Sequence, residues 1–249
     1  MKIIYLNVFE NVEEEKRFNK IAEFIKKEKP NMLVLSEVGK WKNNFKNRLK
    51  KFKVQTKFPY HFQKNHILFF SQHVISCPRH IKDAIIKINT VINDEKITVI
   101  ASHLSPDSED KRLSQVEAII KNINNEDKVI LIGDLNSLSP LDNYDEQKLF
   151  NQLKKINIIK FGEDKLRKDV QKKILNFGLI DTVREFSKKF EYSVPTLFNK
   201  DINHFSKLRL DYLYITLPLK PFLKSAKIIR NDETNQLSDH FPIIAEFNL

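Results

Sequence analysis

Polar residues of one chemical kind stand where apolar segments of this chain stop. Asn7 ends the run Ile3-Ile4-Tyr5-Leu6, Glu37 follows Met32-Leu33-Val34-Leu35, and His103 follows the apolar segment 97–101. Asp134 and Asn136 follow Val129-Ile130-Leu131-Ile132, Asp211 opens another apolar segment, and Asp239-His240 immediately precedes the last one. A single Asp or Asn at such a place is an ordinary turn residue. Recurrence of this chemistry at one segment end after another exceeds what turn preference produces. Loops at strand ends are where α/β scaffolds carry ligands and catalytic groups.

The residue types make a coherent set. Glu37 and Asn7 offer hard oxygen donors, which suit Mg²⁺, an ion that keeps several waters and takes few carboxylates. Mn²⁺ is the other candidate, and no Cys/His spacing resembles a zinc site. Asp134 can orient an attacking water or accept its proton. His103 and His240 can donate hydrogen bonds to phosphoryl oxygens as charge develops. Asp211 can fix the tautomer and orientation of His240. The chemistry pointed to is metal-assisted attack of water on a phosphoester.

These groups need a scaffold that brings distant segments to one rim. Residues 3–8 read as a buried strand, 12–29 as an amphipathic helix with Phe18, Ile21, Ala22 and Ile25 on one face, and 32–35 as a second strand. Pro30 stops the helix. Short strands follow at 53–56, 66–70, 74–77, 84–89 and 97–101, then a helix over 107–123 and a strand over 128–132. Helical stretches near 145–156 and 165–177 precede strands at 210–216, 226–229 and 242–247. With only four glycines there is no glycine-rich linker. One domain spanning residues 1–249 is expected, with two sheets flanked by helices.

Composition narrows the class further. Hydrophobic residues make up 41% of the chain, enough for a large core, and 43 Lys and Arg outnumber 32 acidic residues for a net charge of +11. Such a balance favours polyanionic partners, although the dominance of Lys over Arg fits a codon bias equally well. The single cysteine, Cys77, excludes an intrachain disulfide and makes a reducing compartment the default. No window is long and apolar enough for a membrane span, and the N-terminus lacks a signal-peptide core. A cytoplasmic protein, monomeric by default, is expected.

Taken together, six segments resemble the endonuclease/exonuclease/phosphatase, or DNase I-like, superfamily. They are Leu6-Asn7-Val8, Leu35-Ser36-Glu37, Ser102-His103-Leu104, Gly133-Asp134-Leu135-Asn136, Arg209-Leu210-Asp211-Tyr212 and Ser238-Asp239-His240-Phe241-Pro242. The resemblance implies a four-layer α/β/β/α sandwich of two mixed sheets flanked by helices, with the site at one rim. It makes Glu37 the main metal ligand, assisted by Asn7 and with Asp239 as a further candidate. It gives Asp134 the water, Asn136 the scissile phosphate, and His240, paired with Asp211, the phosphate and the nucleophilic step. Whether Asp134 or the His240–Asp211 pair is the general base stays open. His103 joins the catalytic and substrate-binding set. Arg112 and Gln115 match an Arg-x-x-Gln feature, read here as tying the helix to the site, with Arg112 also a candidate substrate contact.

The departures are specific. Ser102-His103-Leu104-Ser105 replaces the Tyr-x-Pro-Asn of exonuclease III-like enzymes, Leu6 replaces an aromatic, and Phe9 stands where an acidic or glycine residue is usual. Glu10 is close by but in the wrong register to substitute.

A nuclease acting on DNA or RNA is the leading expectation. A phosphatase or phospholipase C-like enzyme acting on small phosphoesters or headgroups is the alternative. An inactive nucleic-acid-binding domain would be expected to have lost part of the site set. A serine hydrolase lacks its Gly-x-Ser-x-Gly elbow here. Two basic stretches, 40–53 and 148–173, mix Lys with aromatics; each reads either as a nucleic-acid contact or as an amphipathic surface helix.

Overall fold

The computed structural model describes residues 1–9, 15–39, 44–198 and 206–249. The opening unit is β1 (Lys2–Asn7), α1 (Glu15–Glu28) and β2 (Met32–Ser36). β1 and β2 are buried on both faces, which is why they read as unbroken apolar runs. In β1, Ile3 and Tyr5 point into the core between the sheets, while Ile4 and Leu6 point outward against α1. That alternation is the period-2 pleat of a strand. Phe18, Ile21, Ala22 and Ile25 of α1 cover the outer face, as their helical spacing requires.

α2 (Phe45–Thr56), β3 (Tyr60–Lys64) and β4 (Ile67–Ser71) complete this half. The expected strand at 53–56 is instead the last turn of α2, whose Lys57 cap is left-handed with its N–H donating to Lys53 O at 2.7 Å. Phe52 explains the difference: it packs on Phe18 and Phe70, at 5.8 and 5.1 Å between centroids, and so anchors a helix face. Lys46, Lys50 and Lys51 stay exposed, so over its described part this basic stretch is the amphipathic helix. Lys40, Trp41 and Lys42, like Glu10 and Val12, lie outside the described residues. β3 was not foreseen from the sequence, because its exposed residues carry no buried face to reveal it.

The second half contains β5 (Ser76–Lys82), β6 (Ile85–Ile92), β7 (Glu95–His103), α3 (Glu109–Ile120), β8 (Val129–Asp134), α4 (Glu146–Lys155), α5 (Asp169–Asn176), β9 (Ile180–Asp181), α6 (Thr182–Phe186) and β10 (Asp211–Ile215). β11 (Leu223–Ile228) and β12 (Ile243–Phe247) then return to the first sheet. Two mixed six-stranded sheets result, ordered β11-β12-β1-β2-β4-β3 and β5-β6-β7-β8-β10-β9. A shared apolar core fills the space between them, α1 and α2 cover the outside of one, and α3 and α5 the outside of the other. This is the α/β/β/α sandwich expected from the sequence. Among the described residues no helix is long and apolar enough to cross a membrane.

Two details bear on the site. Gly133 sits in β8 opposite Ser102 of β7 at φ +154°, and a Cβ there would fall 1.8 Å from Ser102 O. Only glycine permits this approach of backbones just before Asp134. The helix expected over 165–177 starts only at Asp169, leaving residues 157–168 as a non-helical segment folded around Gly162.

Candidate active site

Strand direction and register collect the polar groups. β1 and β2 are parallel with Asn7 beside Ser36, so Asn7 and Glu37 leave the first sheet at one level. In the second sheet, parallel β7 and β8 place His103 beside Asp134. β10 runs antiparallel to β8, which puts its first residue, Asp211, beside Asp134. β12 is antiparallel to β1, so the residues preceding it, Asp239 and His240, reach the same rim. Glu37 (φ 60°) and Asn136 (φ 48°) adopt the left-handed conformation immediately past their strands. Non-glycine residues seldom hold it, and it clusters where a site over-determines the backbone.

The hydrogen bonds centre on Asp134. Its Oδ1 accepts from Asn136 N at 2.8 Å, and its Oδ2 accepts from Asn7 Nδ2 at 3.3 Å. The Nε2 atoms of His103 and His240 lie 3.7 and 3.9 Å from that same Oδ2. Asn7 Nδ2 also donates to Glu37 Oε1 at 2.8 Å, while Asn7 Oδ1 accepts from Phe9 N at 3.0 Å. His240 Nδ1 is 2.7 Å from Asp211 Oδ2, and Ser193 Oγ accepts from the backbone N–H of Leu210 and Asp211. Asp239 accepts from Ser238 Oγ at 3.0 Å. Burial disfavours an imidazolium at His240, but Asp211, Asp239 and Asp134 outweigh it and hold its pKa well above the ordinary histidine value.

Glu37, His103, Asp134, Asn136, Asp239 and His240 all line one cleft of about 450 Å³. Asp211 lies behind His240. Asn7 is almost wholly buried beneath Glu37 and Asp134. The structure does not bring Arg112 into the cleft lining. Its guanidinium is fully buried and donates to Glu109, to Ser105 O and to Lys160 O. Gln115, beside it on α3, accepts from Ser105 N and donates to Asp83.

Three residues in or beside the cleft have no site role in the sequence reading, although Lys160 falls in the basic stretch 148–173 and Phe9 stands out as a departure from the family pattern. His66 Nε2 lies 3.0 Å from His103 Nδ1 and so orients that ring. Lys160 lines the cleft with Nζ 3.5 Å from Asn136 Oδ1. Its backbone is pinned because its carbonyl accepts from buried Arg112 and its neighbour Phe161 is wholly buried. Phe9, left-handed at φ 52°, also lines the cleft.

The donor chemistry suits a hard divalent cation. Ligand atoms of Asp134, Asp211 and His240 all lie within 4.8 Å of one another, a trio that shares no residue with the metal ligands Asn7, Glu37 and Asp239 expected from the sequence. Because Asp211 Oδ2 and His240 Nδ1 face each other at hydrogen-bond distance, that pair is better suited to orientation. Asp211 Oδ1 is nevertheless buried with no hydrogen-bond partner among the described residues. Carboxylates converging on one cleft repel one another and favour a bound cation.

A model of the endonuclease/exonuclease/phosphatase family matches residues 4–240, nearly the whole chain. The chain belongs to that family. The family comprises hydrolytic phosphoesterases, nucleases and phosphatases, and the protein is an enzyme of this kind. Solved structures share the fold of this family member over its whole length. An AP endonuclease from Archaeoglobus fulgidus superposes with a TM-score of 0.75 at 20% identity, covering 100% of both chains. The 3'-5' exonuclease NExo from Neisseria meningitidis gives 0.72 at 19%, again over 100% of both chains. TDP2 from D. rerio, complexed with a single-strand DNA product, gives 0.69 at 17%, covering 100% of this chain and 99% of that one. At such identities the likeness speaks for the fold. No curated protein matches the sequence.

Proposed function

We propose that this protein is a Mg²⁺-dependent nuclease that hydrolyses phosphodiester bonds of DNA or RNA by in-line attack of water. The observation that carries the proposal is the convergence of His240, oriented by Asp211, and of His103 on Asp134 Oδ2 within one carboxylate-lined cleft. Glu37 would hold the metal, with Asn7 fixing its carboxylate and Asp239 contributing from the opposite strand end. A bound Mg²⁺ or Mn²⁺ would supply Lewis-acid stabilisation of the charge that develops on the phosphate.

The protein's own groups do the rest. Asp134 Oδ1 accepts from Asn136 N–H at 2.8 Å while Oδ2 takes only the longer contact from Asn7 Nδ2 at 3.3 Å, so Oδ2 is the better placed oxygen to orient the water and accept its proton. His240 turns Nδ1 to Asp211 and presents Nε2, a donor for a non-bridging phosphate oxygen. Asn136 donates to Leu104 O through Nδ2, an anchor that fixes the side chain meant to hold the phosphate. Lys160, beside Asn136, adds a cation for the same group.

Support for a polymer substrate comes from the net charge of +11 and from structural neighbours that include an AP endonuclease, a 3'-5' exonuclease and a 3' phosphatase bound to a product DNA hairpin. The deciding experiment is cleavage of labelled single- and double-stranded DNA and RNA in Mg²⁺ and in EDTA, with Asp134→Ala alongside. Metal-dependent cutting lost in the variant is expected. Phosphate release from nucleotides or inositol phosphates, with every polymer intact, would instead identify a small-molecule phosphatase.

A further inference from the structure

The cleft adjoins a second hollow, and the residues at the junction are aromatic and cationic. Phe9 lines the catalytic cleft, and its ring meets Phe198 edge to face with centroids 6.3 Å apart. Phe198 in turn lines a hollow of about 250 Å³ together with Leu197, Lys16, Lys20 and Asn235. Leu197 leaves 82% of its surface exposed.

The junction is held in place by a single buried cation. Phe9 adopts a left-handed backbone (φ 52°) that a bulky aromatic rarely takes. Arg17, buried on α1, donates to the carbonyls of Val8, Phe9 and Leu237, and its guanidinium lies 4.9 Å from the Phe198 ring centroid. One side chain therefore sets both the strained turn and the ring stacked above it. Strain of this sort persists at ligand clamps because the surroundings over-determine it.

Neither Phe9 nor Phe198 is among the groups assigned to metal, water or phosphate. A ring beside a phosphate site, with Lys16 and Lys20 in the adjoining hollow, matches the needs of an unpaired nucleotide: a π face for the base and cations for the next phosphate. A base inside a duplex has both faces covered by its neighbours in the stack and could not use it.

We propose that Phe9 and Phe198 form a stacking subsite for an unpaired nucleobase next to the scissile phosphate, so that the substrate is single-stranded nucleic acid. The proposal rests on the nuclease reading above.

The test uses a single-stranded hexanucleotide with one ordinary phosphodiester among phosphorothioates, made with and without the base on either side of that linkage, and the same strand in a duplex. Wild type should lose about ten-fold in kcat/KM when the stacked base is removed, the usual worth of one base–aromatic contact, and a similar factor on the duplex. Phe9→Leu and Phe198→Leu should show that loss, mainly in KM, on the complete strand and none on the base-free one. Melting temperatures close to wild type would verify folding, and fluorescence of a 2-aminopurine strand bound in EDTA should be quenched by wild type more than by either variant. Equal sensitivity to base removal in all three proteins, or a preference for the duplex, would overturn the subsite while leaving the nuclease intact. Hydrolysis of small phosphoesters with no strand cut would overturn both.

Discussion

His240 Nδ1 and Asp211 Oδ2 lie 2.7 Å apart in the protein interior, although 29 residues separate them along the chain. The contact directs Nε2 of the ring toward Asp134. On the proposed role of Asp211 as the group that orients His240, their losses should not add. Asp211→Asn and His240→Ala are each expected to lower kcat about 10²- to 10³-fold. The double variant should fall no more than about ten-fold below the worse single one. Steady-state kinetics of the four proteins measure this, and fully additive losses would refute the pairing.

Glu37→Gln separates metal binding from folding. The change is nearly isosteric and removes one charge from a crowd of carboxylates, so the metal-free Tm should stay within about 2 °C of wild type or rise. The Mg²⁺ concentration for half-maximal activity should increase about ten-fold or more, in line with weakened ligation. Thermal denaturation in EDTA and in Mg²⁺, paired with a metal titration, checks both. A Tm fall of many degrees in EDTA would make Glu37 a structural residue.

Lys160 is the cation beside Asn136, and its loop is anchored independently through Arg112 and Phe161. Lys160→Ala should therefore raise KM about ten-fold with Tm little changed, since a charged hydrogen bond contributes roughly 1.5–3 kcal/mol. Lys160→Arg should recover most of the loss. Kinetics that leave KM untouched would exclude a role in phosphate recognition.

Arg209, two residues before Asp211, centres a buried charge cluster. Fully buried, it donates to Asp142 at 3.0 Å and to both oxygens of Asp181 at 3.0 and 2.6 Å, while Arg184 also pairs with Asp142. Arg209→Met would leave buried carboxylates short of a partner and should cost about 3–5 kcal/mol. A Tm drop of about 10 °C is the corresponding readout. A calorimetric Tm within 1 °C or so of wild type would refute a stabilising role for Arg209.

The sequence by itself determined the layers, the strand ends and the residue types at them. The central strands of both sheets are buried on two faces and so read as apolar runs, and a run that stops on Asn7, Glu37, Asp134 or His103 marks its own boundary, whereas an exposed edge strand such as β3 carries no such signal. The need for Gly133, by contrast, comes from the cross-strand approach of Ser102, which only the pairing of β7 with β8 reveals. Only the tertiary structure decided what meets what. Asp211 joins His240 because β10 and β12 run antiparallel to their neighbours, a pairing that local periodicity does not encode. His66 reaches His103 from another sheet, and Lys160 enters the cleft because Arg112, on a helix 48 residues earlier, holds its carbonyl. The strand misread at 53–56 has the same origin: Phe52 stacking on Phe70 fixes a helix there, a long-range contact outweighing local preference. Composition and period record what each residue must bury, whereas the partners in a cleft are set by register, strand direction and contacts between distant segments.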